Sequence, residues 1–450
     1  MLTVATAAIA AAATGSKPPA QLRLAIAGVA QNPCDQYQAL PVPARVRGSF
    51  EPDSSILVTA GTTYTAPGQA LPPGKALPQC TSATLRADRA WLGAGLVPGT
   101  SAAQQSMASR ALLDLRLAVR PDGAVVAGWR SGWEYDWPRD SSWVAAALAG
   151  TGHPDRAYQV LRFLARVQGA DGIWAARYLI DGSGPVRDGR PAELDADGWV
   201  PWAVWSWAAS QPPGAVFRQQ LAALWPMVTR AANAAARALT GDGLPGPAMD
   251  YWENSVQVTL GTAAPLLAGL RAAADLAPEA GAAADGSRWA AAATRLARAI
   301  ASSFGRTGYQ RTPEAGSGAD AAVTFLGPSF ATPGPAVRTA ARSAEHVLTL
   351  PGGGLRPGQA WGGTPGVAWT AATAFFALFD AATGQHAAAA ALLNWLAAHR
   401  TVLGSLPEQV SPAGQPASTA PLSWTDAATL LALLAQAGHL PVLPVPAAGQ

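Results

Sequence analysis

Two carboxylates stand out in a chain that is sparing with charge. Only 13% of its 450 residues are Asp, Glu, Lys or Arg. Yet "GPAMDYWENS" places Glu253 directly after Trp252, and "SLPEQV" sets Glu408 between a proline and a glutamine in an otherwise apolar stretch. Asp250 and Glu253 lie just ahead of a helical run, where the helix dipole alone would account for an acid. The indole beside Glu253 points to a second role, because an aromatic neighbour desolvates a carboxyl and raises its pKa as a general acid requires. Two carboxylates flanking an aromatic-lined pocket are the means of glycosidic bond hydrolysis. Rival chemistries lack their residues: there is no ordered Ser, His and Asp, no Cys nucleophile, no Asp-rich metal motif of the helical terpene cyclases, and the five His are dispersed.

Other stretches supply binding groups. In "GWEYDWPRDSSW" Asp140 opens a helix and serves as its N-cap. With Arg139 beside it and Trp133, Trp137 and Trp143 around it, the same pair also forms a charged hydrogen-bonding unit on an aromatic floor, suited to a hydroxyl-rich ligand. "DGIWAARYLIDG" leads to "LDADGWVPW", where Asp195 and Asp197 read as a metal pair or, more simply, as helix-capping acids. The glycines of "PGGGLRPGQAWGGTPG" permit close backbone approach, while Arg356 offers a cation and Trp361 a stacking plane. A phosphate-cradling loop would need a strand, a helix and a Lys around those glycines, so nucleotides are discounted. The 17 Trp, many beside Gly, Asp and Pro, are suited to stacking on sugar rings, with a buried core position as the plain alternative.

These residues need elements to hold them. After Ser101 the chain carries Ala, Leu and Arg segments with helical spacing, as in "FRQQLAALWPMVTRAANAAARAL", where Leu221, Leu224, Val228 and Ala232 share one face. Twelve helices are expected, starting near 102, 140, 154, 196, 214, 255, 285, 319, 333, 366, 385 and 423. The loops after the odd helices are long and those after the even ones short. In a closed ring of antiparallel helices this alternation collects every long loop on one face, where a site is built. The expected fold is mainly all-α: an (α/α)6 toroid of six hairpins over 101–440. Before it, 21–100 reads as a small β-rich N-terminal domain with runs such as "SSILVTAGTTYT".

Composition bounds the rest. An apolar content of 49% supports a large core. The net charge of +3 is spread over scattered Lys and Arg with no basic run, which argues against a nucleic-acid partner. Cys34 and Cys80 are too few for a four-ligand zinc site and read as one disulfide of an exported protein, or as buried thiols. Residues 1–20 resemble a signal segment, with small residues at a cleavage position but no positive n-region, so export is expected. No other run is long enough to span a bilayer. Oligomeric state has no signature.

Taken in order, "YDWPRDSSW", "LDADGW", "GPAMDYWEN", "GGLRPG" followed by "WGGTPG", "LPEQ" and "PLSW" resemble the motifs of glycoside hydrolase family 15, the glucoamylase-type family, across roughly 101–440. The resemblance implies an (α/α)6 barrel and inverting release of β-glucose from the non-reducing ends of α-glucans, with no metal or organic cofactor. It implies Glu253 as general acid and Glu408 as general base. Arg139, Asp140 and Arg356 match residues that hold the terminal sugar; Trp252 matches the one that stacks near it, and Trp361 takes the place of an aromatic that walls the same pocket. The chain departs from the family at Asn254, where a second Glu is usual, and at "PGQAW", which lacks the usual acids. Its N-terminal part is also smaller than the family's β-sandwich. Other α-glucosides, such as trehalose or isomaltose- and dextran-type linkages, and a non-catalytic glycan-binding role on the same toroid are therefore the alternatives.

Overall fold

A computed structural model describes residues 22–69 and 71–444, so the expected signal segment lies outside the described residues. The helices are α1 (Leu77–Gly93), α2 (Ala102–Ala118), α3 (Pro138–Gly150), α4 (Pro154–Val167), α5 (Ala196–Ala209), α6 (Ala215–Arg237), α7 (Leu260–Leu276), α8 (Ala283–Ser303), α9 (Pro335–Leu348), α10 (Thr370–Ala382), α11 (His386–Ala398) and α12 (Ser423–Gln436). Polarity sorts them into two layers. In α4 only Ala157, Val160, Leu161, Phe163 and Leu164 are buried, one stripe of a surface helix. In α5 every residue from Ala196 to Trp207 is buried, as an inner helix requires.

The inner ring closes through pairwise packing of α3 on α5, α5 on α7, α7 on a 3-10 segment (Ala321–Leu326), that segment on α10, α10 on α12, and α12 back on α3. The outer layer is α2, α4, α6, α8, α9 and α11, so the (α/α)6 toroid is present. Its axis is filled, not open. Trp143 of α3 meets Trp199, Trp202, Phe325, Phe330, Phe375 and Trp424 with ring centroids 5.2–6.1 Å apart. Many Trp thus serve the core, the plain reading of their abundance. Where α5 crosses α7 the backbones touch: a Cβ at Gly198 would lie 2.1 Å from the Pro265 carbonyl.

Three sequence expectations change. The helix expected near 319 is only six residues of 3-10, ended at Gly327 and Pro328; a Cβ at Gly327 would stand 2.3 Å from Phe379, so no side chain could continue the run there. The stretch 21–100 contains a helix, α1. And β1 (Leu24–Asn32) with β2 (Asp35–Pro43) extends a five-stranded sheet, in the order Ala368–Trp369, Gln409–Val410, Pro416–Thr419, β1, β2. β1 runs parallel to Pro416–Thr419, with Leu24 opposite Ser418 and Ile26 opposite Thr419. Cys34, in the turn after β1, is disulfide-bonded to Cys80 of α1. Among the described residues no helix is long and apolar enough to cross a membrane.

Candidate active site

Five of the six long connections converge on one cavity of about 240 Å³ at the mouth of the toroid. Its floor is Phe375 and Trp424, both part of the aromatic core, so the cavity ends against packed rings. Glu253, Glu408, Arg139, Asp140, Trp137, Trp252 and Trp361 all line it. Arg356 does not: its side chain turns back to donate to the Val347 carbonyl at 3.5 Å, and only the following Pro357 reaches the cavity. Of the residues expected to hold the sugar, Arg356 is thus the one not brought to the cavity. The Arg356 N–H bonds the end of α9 at the Leu348 carbonyl, at 3.1 Å.

Glu253 ends a tight turn. Its N–H donates to the Asp250 carbonyl at 2.9 Å, while Asp250 Oδ1 accepts from Trp252 N–H at 3.0 Å. The turn leaves Glu253 at φ 52°, in the left-handed region that a non-glycine residue occupies only when its surroundings impose it. Here Arg311 is the clamp. It bonds Asp250 at 3.0 Å and Asp320 at 3.1 Å, and its guanidinium lies 3.6 Å from the Trp252 ring centre. The far side of Trp252 meets Trp361 edge to face at 5.0 Å. Trp252 is thus a fixed wall.

Polar and charged groups, and not the Trp252 indole alone, surround the Glu253 carboxyl. Trp137 Nε1 donates to Oε1 at 3.0 Å, Arg139 Nη2 stands 3.8 Å from the same oxygen, and Arg190 pairs with Oε2. Arg139 is buried, but Glu193 and Asp195 pair with it and hold it charged against the desolvation that would discharge it. Asp195, read as a cap or metal ligand, serves instead as counter-ion and accepts from the Trp199 indole at 3.2 Å. Burial pushes the Asp140 carboxyl up to about 6, with Arg139 opposing and Asp195 and Glu408 adding to the rise.

Glu408 enters from the last long loop. Its N–H donates to the Thr419 carbonyl at 2.8 Å and its own carbonyl accepts from Thr370 N at 3.1 Å, so the start of α10 and the central strand of the five-stranded sheet fix its backbone. Glu408 is 4% exposed. Burial raises its pKa; hydrogen bonds from Ser418 and Trp133 and the charge of Arg130 oppose that rise. Ser418 Oγ donates to Oε2 and accepts from Arg130 Nη1 at 3.2 Å, and Ser418 itself sits at φ 67°. A carboxyl that is buried, hydrogen-bonded and poised above its ordinary range is suited to take a proton from water.

Several site residues escaped the sequence reading. Trp424 stood in the motif "PLSW", already singled out. Arg177, Arg190, Glu193 and Ser418 carried no local signal, since an exposed-looking Arg or Ser in a Gly- and Pro-rich loop is ordinarily solvated.

No family model matches the chain, and no curated protein does. Solved structures do. A glycosidase in complex with glucose is similar over 75% of this chain and 96% of its own, at 22% identity and a TM-score of 0.60. A bacterial glucoamylase complexed with acarbose matches over 83% of this chain and 61% of its own, at 17% identity and a TM-score of 0.65. A glucoamylase from Saccharomycopsis fibuligera matches over 72% and 91%, at 13% identity and a TM-score of 0.58.

Proposed function

The fold is that of the glucoamylases and related glycosidases, and from it and the cavity we propose that this protein is an inverting, exo-acting glycoside hydrolase that releases β-D-glucose from the non-reducing ends of α-glucans or α-glucosides. One observation carries the reading: Glu253 and Glu408, from two different long loops, face one Trp-lined cavity that the aromatic core closes from below. A cavity with a closed end admits a chain terminus, not the middle of a chain, and so favours exo cleavage. Arg139 and Asp140 offer charge-assisted hydrogen bonds to sugar hydroxyls.

In the proposed mechanism Glu253 gives a proton from Oε2 to the glycosidic oxygen. Oε1 is the acceptor of the Trp137 N–H and is the poorer proton carrier. Glu408, ionised, removes a proton from water as that water attacks the anomeric carbon from the other face through an oxocarbenium-like transition state. No cofactor enters. The Cys34–Cys80 disulfide supports an exported protein, since such bonds persist in oxidising compartments.

A different α-linkage is the second reading, and a specific feature favours it. Asn254 stands where the family resemblance implies a second carboxylate, and it lies 3.5 Å from Arg311. The leaving-group side therefore differs in charge from that of a starch hydrolase. Proton NMR of the protein with maltotriose, isomaltotriose and trehalose, followed from the first minutes, tests both readings. Early β-glucose from one sugar is expected and names the linkage; early α-glucose refutes Glu408 as base. Retention of oligosaccharide without release would indicate a glycan-binding protein.

A further inference from the structure

We propose that Arg190 is a latch on the proton donor, holding Glu253 ionised in the empty site and leaving Oε2 only when the leaving-group sugar takes its place. The proposal rests on the hydrolase reading and deepens it. Its basis is the division of labour between the two oxygens of Glu253. Oε1 is occupied from the barrel side by Trp137 at 3.0 Å and faces Arg139 at 3.8 Å. Oε2 is the oxygen left to carry a proton outward, and it is the one that Arg190 covers. A guanidinium and a glycosidic oxygen cannot both occupy that place.

The charges around the carboxyl make the consequence specific. Arg139 is already neutralised by Glu193 and Asp195. Arg190 shares Asp188 with Arg177, its Nε 3.1 Å from Asp188 Oδ2. From the opposite walls Asp140 and Glu408 line the same cavity, and from the turn itself Asp250 is satisfied by Arg311. Arg190 is therefore the partner whose departure changes the balance at Oε2. An adjacent cation favours the carboxylate, whereas the reaction needs the acid.

The side chain is built to move. Arg190 is 40% exposed, on the long loop between α4 and α5, and Asp188 remains as its anchor when Glu253 is released. Its neighbour Arg177 is not free in the same way: it is held by the Gly132 carbonyl at 3.2 Å and lies over Tyr135 and Trp137 at 4.4 and 5.1 Å. Binding of the leaving sugar and protonation of Glu253 thus become one event, and the acid is armed only when a substrate long enough to displace Arg190 is seated.

The test is R190Q, read by pH profiles with the oligosaccharide that the wild type hydrolyses. The kcat/KM profile reports the free enzyme and the kcat profile the complex. The latch predicts that the alkaline limb of kcat/KM moves to higher pH, giving several-fold more activity just above the wild-type limb, while the kcat limb stays in place. Equal movement of both limbs, or of neither, overturns it. Carboxyl 13C NMR of Glu253 in the sugar-free protein, assigned with E253Q, decides the pairing without turnover: Glu253 should titrate at higher pH in R190Q. An unchanged titration refutes the latch, and a shifted titration with no glycan hydrolysed would count against the hydrolase reading alone.

Discussion

At the level of single residues the site depends on two carboxyls kept in opposite circumstances. Glu408 is buried and poised by Ser418, Trp133 and Arg130; Glu253 is partly exposed and ringed by cations. Glu408→Gln should lower kcat by about 10³-fold while sugar binding, measured by calorimetry, stays within a few-fold. Unchanged turnover would remove Glu408 from the mechanism. Ser418→Ala removes a hydrogen bond that stabilises the ionised base, so the Glu408 pKa, already raised, climbs further. The base must be ionised to act, and the acid limb of the kcat/KM profile therefore moves to higher pH. Both carboxyls were legible in the sequence because a lone Glu in an apolar, Trp-rich neighbourhood is conspicuous. Their partners were not: what makes Arg190 and Ser418 functional is a contact across 63 and 10 residues of chain, which no local pattern encodes. Arg356 shows the reverse, a motif position whose side chain bonds the Val347 carbonyl and does not line the cavity.

Among the elements, helical periodicity and the alternation of long and short loops together marked out the toroid, because both follow from burying one layer of helices inside another. The 3-10 segment at Ala321–Leu326 escaped, since its brevity comes from Phe379 pressing on Gly327 and not from the run's own composition. The contact of α5 with α7 is a more demanding constraint. A Cβ at Gly198 would meet the Pro265 carbonyl at 2.1 Å, and one at Gly269 would meet Gly198 Cα at 2.5 Å. Gly198→Ala should therefore force the two inner helices apart and cost about 3 kcal/mol, the upper range of overpacking, read as a loss of denaturation midpoint at unchanged m-value. An equal effect of alanine at Gly241, where a Cβ meets nothing within 4 Å, would show that the cost is intrinsic to losing glycine and not to the crossing.

On the scale of the whole molecule, burial of acids sets the response to pH. Burial pushes Asp136, Glu193 and Asp380 up to about 7 and Asp140 and Asp320 up to about 6. Each therefore binds protons more tightly folded than unfolded, and its contribution is fully present below the unfolded value and lost as pH climbs through 6 to 7. His153, held neutral by burial down to about 4, acts in the opposite sense, as do Asp181, Asp188 and Asp242, whose lowered carboxyls lose their contribution only in acid, below the window from about pH 5 to about pH 8. Thermal unfolding should thus occur several degrees lower near pH 8 than near about pH 5, and a flat Tm over that range would refute these assignments. The sheet that joins β1 to Pro416–Thr419 has a consequence of another kind. Leu24 lies opposite Ser418, the Ala420 N–H bonds the Ile26 carbonyl at 3.0 Å, and Thr401 Oγ1 bonds the Ala27 carbonyl at 2.5 Å. A ribosome delivers β1 long before its parallel partner, so the seat of Glu408 stays unmade until Pro416–Thr419 has emerged. Any fragment that stops short of that strand lacks α12 as well, so it would lose the seat of Glu408 and the closure of the inner ring together.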